Sequence, residues 1–90
     1  MKKTLLLIFV FALIVSCNNQ FGKEDYKKGK VKYEQQDYRG AIADFTKAIE
    51  INPKYADAYL SRGAVKNEQQ DYQGAKTDFT KAIEINPKHQ

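Results

Sequence analysis

Apolar residues are distributed along the chain in two ways. From Leu5 to Val15 they form an unbroken run of eleven. From residue 22 onward they recur three and four positions apart among charged and polar residues. The second spacing marks amphipathic helices, each burying one face. Ala75, Phe79, Ala82 and Ile83 trace such a face, predicting a helix from Tyr72 to Ile85. Asn86-Pro87 stops it, because the residue before a proline avoids helical geometry. Asp71 stands before it as an N-cap, its carboxylate suited to the orphan amides of the first turn. The preceding helix is predicted over Ala56 to Gln70, after Asn52-Pro53 has ended its predecessor. Earlier in the chain the same signals predict helices over Glu24 to Gln36 and Tyr38 to Ile51, with Asp37 as the cap between them. The fold class is all-α: two tandem antiparallel helix-turn-helix repeats, residues 22–55 and 56–89.

The two units are copies. Gly29 to Lys54 aligns with Gly63 to Lys88 at an offset of 34, and 21 of the 26 pairs are identical. The exchanges are Lys30/Ala64, Tyr33/Asn67, Arg39/Gln73, Ile42/Lys76 and Ala43/Thr77. A fixed period of this length is the mark of a repeat architecture.

The apolar run at the N-terminus has another meaning. A membrane-spanning helix needs about 20 apolar residues, and this run is shorter, follows Lys2 and Lys3, and has no polar face. Residues 1–16 therefore read as a signal peptide. Ile14-Val15-Ser16-Cys17 resembles the bacterial lipobox. That resemblance implies cleavage before Cys17 and a thioether-linked diacylglycerol on its sulfur. Cys17 is the only cysteine, so an internal disulfide is excluded and acylation accounts for an otherwise unpaired exported thiol. Two or three acyl chains would make anchoring effectively permanent, since each buried CH₂ contributes about 0.8 kcal/mol. Residues 17–21 are expected as a short polar, lipid-anchored tether. Asn18, where an aspartate commonly retains Gram-negative lipoproteins at the inner membrane, favours the outer membrane.

Within each repeat, Gly29, Tyr38, Ala41, Phe45, Ala48 and Pro53 correspond to Gly63, Tyr72, Ala75, Phe79, Ala82 and Pro87, with Tyr59 at a further aromatic slot. In these residues the chain resembles the tetratricopeptide repeat (TPR) family. The resemblance covers residues 22–89 and implies a short α-solenoid, small residues allowing close helix approach and aromatics filling the wedge between pairs. Some positions depart from it. Arg62 and Lys28 occupy a slot usually held by leucine, and Lys66 and Lys32 one usually aromatic. Asp25 replaces the aromatic Tyr59 of the second copy and suits a helix start.

Charge and chemistry then narrow the function. Without Lys2 and Lys3, 13 basic residues face 11 acidic ones, too small an excess for a nucleic-acid binder. The single histidine, His89, stands in the tail, with no companion for a metal site. No nucleophile–base pair or phosphate loop is present. Asp44, Asp78, Glu50 and Glu84 read as solvated helix faces. The chain is expected to be neither an enzyme nor a cofactor binder.

Binding of a protein or peptide is what the resemblance implies, in a concave groove lined by the first helix of each pair. The groove-facing candidates are Lys23, Tyr26, Lys27, Lys30, Tyr33 and Glu34, then Asp57, Leu60, Ser61, Ala64, Asn67 and Glu68. Lys27 and Lys30 would hold an acidic peptide or C-terminal carboxylate while Tyr26 and Tyr33 pack its side chains. The chain stops three residues after Pro87, so no covering helix is expected on the last repeat, and Lys76 and Thr77 would solvate that end. Since about three repeats are usually needed for stability, self-association through the exposed C-terminal repeat end, or support from a partner, is expected. The alternative is a truncated or degenerate product of a longer repeat lipoprotein, with a mainly structural role.

Overall fold

The computed structural model describes residues 18–87. The expected signal peptide, Cys17 and His89 lie outside the described residues. Four helices follow one another: α1 (Asn18–Glu34), α2 (Tyr38–Ile51), α3 (Ala56–Glu68) and α4 (Tyr72–Ile85). Among the described residues no helix is long and apolar enough to cross a membrane. Helices α1 and α2 pack as one hairpin and α3 and α4 as another. The hairpins join through α2 against α3, with α1 also touching α3.

The bounds of α2 and α4 are those the caps and prolines predict. Asp37 and Asp71 each accept a hydrogen bond from the amide of Gly40 or Gly74, both at 3.0 Å. Asn52 and Asn86 turn extended at the other end. By contrast, α1 and α3 end two residues earlier than expected. Gln36 and Gln70 adopt left-handed geometry, with φ of 62° and 66°. The amide of Gln36 bonds to Tyr33 O at 2.9 Å and that of Asp37 to Lys32 O at 2.8 Å. This is a Schellman motif, built here with glutamine where glycine is usual.

The start of α1 also differs. It begins at Asn18 rather than Glu24, so residues 18–21, expected as a tether, are helical. Asp25 consequently lies well inside the helix rather than at its start. The added length has a packing partner: Gly22 is buried, and a Cβ there would sit 3.4 Å from Ala48 O and 3.5 Å from the Tyr55 ring.

The core lies between the hairpins. Ala41, Phe45 and Val65 form one buried cluster, and Ala48, Ile49 and Ala58 another; Tyr26 packs against both. Its ring is 5.6 Å from Phe45 and 5.1 Å from Tyr55. Close approach within each hairpin is enforced at Gly29 and Gly63, where a Cβ would come within 2.6 Å of Phe45 and 2.8 Å of Phe79. Phe45 is buried but Phe79 only half-buried, because no helix among the described residues covers the outer face of α4.

Asp44 and Asp78 are not solvated, contrary to expectation. They are 5% and 2% exposed. The Lys32 ammonium forms an ion pair with Asp44, 2.9 Å from its Oδ2. Asp78 is held by Arg62 and by Lys66, the latter at 3.1 Å. Three of the four cations standing in slots that usually carry apolar residues, Lys32, Arg62 and Lys66, are the partners of these carboxylates. Each pair ties the first helix of a repeat to the second.

Candidate peptide-binding groove

Helices α1 and α3 lie side by side with their free faces turned the same way. Between them is a hollow of about 290 Å³ lined by Lys30, Tyr33, Glu34, Phe45, Ser61 and Ala64. Phe45, only 1% exposed, lies at its base, a residue the sequence marks only as core. Its α3 wall is low because Ser61 and Ala64 are small, and Ala64 is itself one of the exchanges between the copies. Small-molecule sites occupy about 300–1,000 Å³, so this opening suits a side chain of a larger partner. A hollow of about 450 Å³ over α4 includes Arg62 and Asp78, but those two charges already satisfy one another.

The sequence-predicted site residues divide into three groups. Lys30 and Tyr33 line the hollow. Tyr26 does not offer a free face: its ring is in the core and its hydroxyl lies 3.2 Å from Ser61 Oγ. It joins α1 to α3 and shapes the groove from beneath. Lys30 extends over that ring, its ammonium 5.5 Å from the centroid, a distance at which the ring quadrupole attracts a cation. Lys27 does not line this hollow. It flanks a separate shallow hollow with Glu24, Lys28, Val31, Lys32 and Gln35. Lys23 is exposed two turns before Lys30, and Asn67 is exposed in the last turn of α3 without lining the hollow.

Tyr33 is fixed by its neighbours. Its ring stacks at 5.7 Å on Tyr38. Partial burial, followed by the nearby negative charge of Glu68, raises its phenol above the ordinary tyrosine value. Glu68 thus stands close to Tyr33 across the groove, and Glu34 lies on the near wall. In the second repeat Asn67 replaces Tyr33, and Tyr72 loses the stacking partner that Tyr38 has; it is 63% exposed.

Among the described residues no three metal-ligating side chains converge, and the arrangement is one of apolar surface edged with charge. Comparison with known proteins agrees with a binding architecture. Residues 29–66 match a family described as TPR repeat, and residues 56–89 one described as Tetratricopeptide repeat. No curated protein matches the chain. Among solved structures, the TPR domain of OM64 from Arabidopsis superposes with a TM-score of 0.77 at 31% identity, over 79% of this chain and 59% of that one. The chain therefore spans about three-fifths of the length of that structure. The two family matches together span residues 29–89, and with the four-helix solenoid they show that this part of the chain is built of tetratricopeptide repeats.

Proposed function

We propose that the chain is a membrane-anchored protein-interaction module, an adaptor or assembly factor held by lipid on Cys17 and binding a partner segment in the groove between α1 and α3. Tetratricopeptide repeats generally mediate protein–protein contact. The observation that carries the reading here is the open hollow floored by Phe45 and walled by Ser61 and Ala64. Anchoring rests on the lipobox-like Ile14-Val15-Ser16-Cys17, and Asn18 after the cysteine favours the outer membrane of a Gram-negative cell. Two measurements separate these parts. Labelled palmitate should enter the wild type and be lost in Cys17→Ser. Crosslinking on intact membranes should trap a partner that Ala64→Trp, which fills the hollow from an exposed position, releases. Unchanged capture by Ala64→Trp overturns the groove reading and leaves the anchor standing.

A second reading is favoured by the outer face of α4. Phe79 and Ile83, both half-buried, correspond to Phe45 and Ile49, which in the first repeat pack against the next hairpin. Self-association through this face would cover them, and sedimentation of the full chain in detergent measures it directly.

A further inference from the structure

Resting on the groove reading above, we infer that the hollow between α1 and α3 takes an extended partner segment in which one apolar residue stands between an acidic and a basic one. The apolar side chain enters over Phe45; the acid faces Lys30 and the base faces Glu34 and Glu68.

Three observations support this order. The hollow has room for one side chain, and its floor and α3 wall are Phe45, Ser61 and Ala64. Charge around it is divided rather than uniform. Lys30 leans toward Tyr26, toward the start of α1, whereas Glu34 follows four residues later on the same helix, a rise of about 6 Å. Glu68 stands near the Tyr33 hydroxyl, reinforcing the acidic side. Tyr33 adds an aromatic face at that side, on which a lysine or arginine of the partner can rest. An extended chain places residues i−2, i and i+2 on one face, with about 6.6 Å between successive ones. Such a segment can therefore present acid, anchor and base together. A purely acidic ligand fits less well, because Lys30 is the one cation among the residues lining the hollow and the carboxylate of Glu34 lines it too.

The test uses the full chain in detergent and five fluorescent nine-residue peptides of otherwise neutral composition. Four have a central leucine and carry Glu/Lys, Lys/Glu, Glu/Glu or Lys/Lys at the positions two before and two after it. The fifth is the better mixed peptide with alanine in place of leucine. Anisotropy should show one mixed order binding at least fivefold tighter than either uniform peptide, and at least fivefold loss on replacing leucine. In the triple variant Lys30→Glu, Glu34→Lys, Glu68→Lys, the preference should pass to the other mixed order. All three positions are exposed, and circular dichroism checks that helix content is retained. Dependence on leucine without an order preference, or tightest binding by Glu/Glu or Lys/Lys, overturns the charge order and leaves the groove reading intact. Indifference to leucine, or no binding by any peptide, overturns both.

Discussion

Arg62 grips Asp78 with two parallel bonds, Nε donating to Oδ2 at 2.9 Å and Nη2 to Oδ1 at 2.7 Å, while Nη1 reaches back to the Thr46 hydroxyl at 3.2 Å. One guanidinium in α3 thus ties α4 to α2, joining the two repeats. The geometry is the planar fork that arginine supplies and lysine does not. Removing one member of a buried pair leaves the other charge uncompensated, at about 3–5 kcal/mol. Asp78→Ala should therefore lower the unfolding free energy by that order, read from urea titration. Replacing both residues by apolar ones, Arg62→Leu with Asp78→Ala, should restore most of the loss. A double variant as unstable as the single one would contradict this account.

Acid should unfold the domain partly through the same carboxylate. Burial by itself would raise the Asp78 carboxyl, but the hydrogen bonds and charges of Arg62 and Lys66 outweigh it and hold the group below its ordinary value of 3.8. A depressed folded-state pKa gives stability that is present above the unfolded value and lost as pH falls through the folded one. The contribution of Asp78 should therefore be flat from neutral pH down to about 5 and disappear below about pH 4. Thermal melts across this range should fall less steeply with acid in Asp78→Asn than in the wild type.

The left-handed glutamines offer a gain. A residue with a Cβ costs roughly 1–2 kcal/mol in that geometry, and glycine avoids this while losing some chain entropy on folding. Gln36→Gly and Gln70→Gly should each stabilise by about 0.5–1 kcal/mol, detectable as a rise in melting temperature. Both side chains are exposed, so no lost packing should mask the effect.

Phe45 and Phe79 occupy the same place in the duplicated sequence but not in the structure. Phe45 is 1% exposed between the hairpins, whereas Phe79 has α3 on one side only. Phe45→Ala should cost about 3–5 kcal/mol and Phe79→Ala about half as much. Equal losses would mean that the outer face of α4 is covered in solution.

What could be read from the residues alone depended on how local the signal was. Asp37, Asp71 and the two Asn-Pro pairs act within a few residues, so α2 and α4 emerge with their observed ends. The ends of α1 and α3 did not, because a glutamine carries no sign that it will turn left-handed. Asp44 and Asp78 were misread for a different reason: their partners lie on another helix. The clue was present in Lys32, Arg62 and Lys66, cations at slots that usually bury apolar groups, but only a paired reading of the two helices exposes it. The groove was legible as a face, since Lys30, Tyr33, Glu34, Ser61 and Ala64 all belong to the predicted first helices. Its depth was not, because Phe45 reaches it from α2. The resemblance puts Tyr26 and Lys27 in it, yet the first is drawn into the core and the second lines a neighbouring hollow.

Two hairpins whose second helices are nearly identical face a hazard during folding, since either second helix can dock on either first helix. Arg62 distinguishes them. Were α1 to pair wrongly with α4, Asp78 would meet Lys28 and Lys32, two separate point charges without the fork, and Thr46 would lose its tie. The guanidinium of Arg62, standing where the first copy has Lys28, thus serves as an address, telling α4 which of the two first helices is its own.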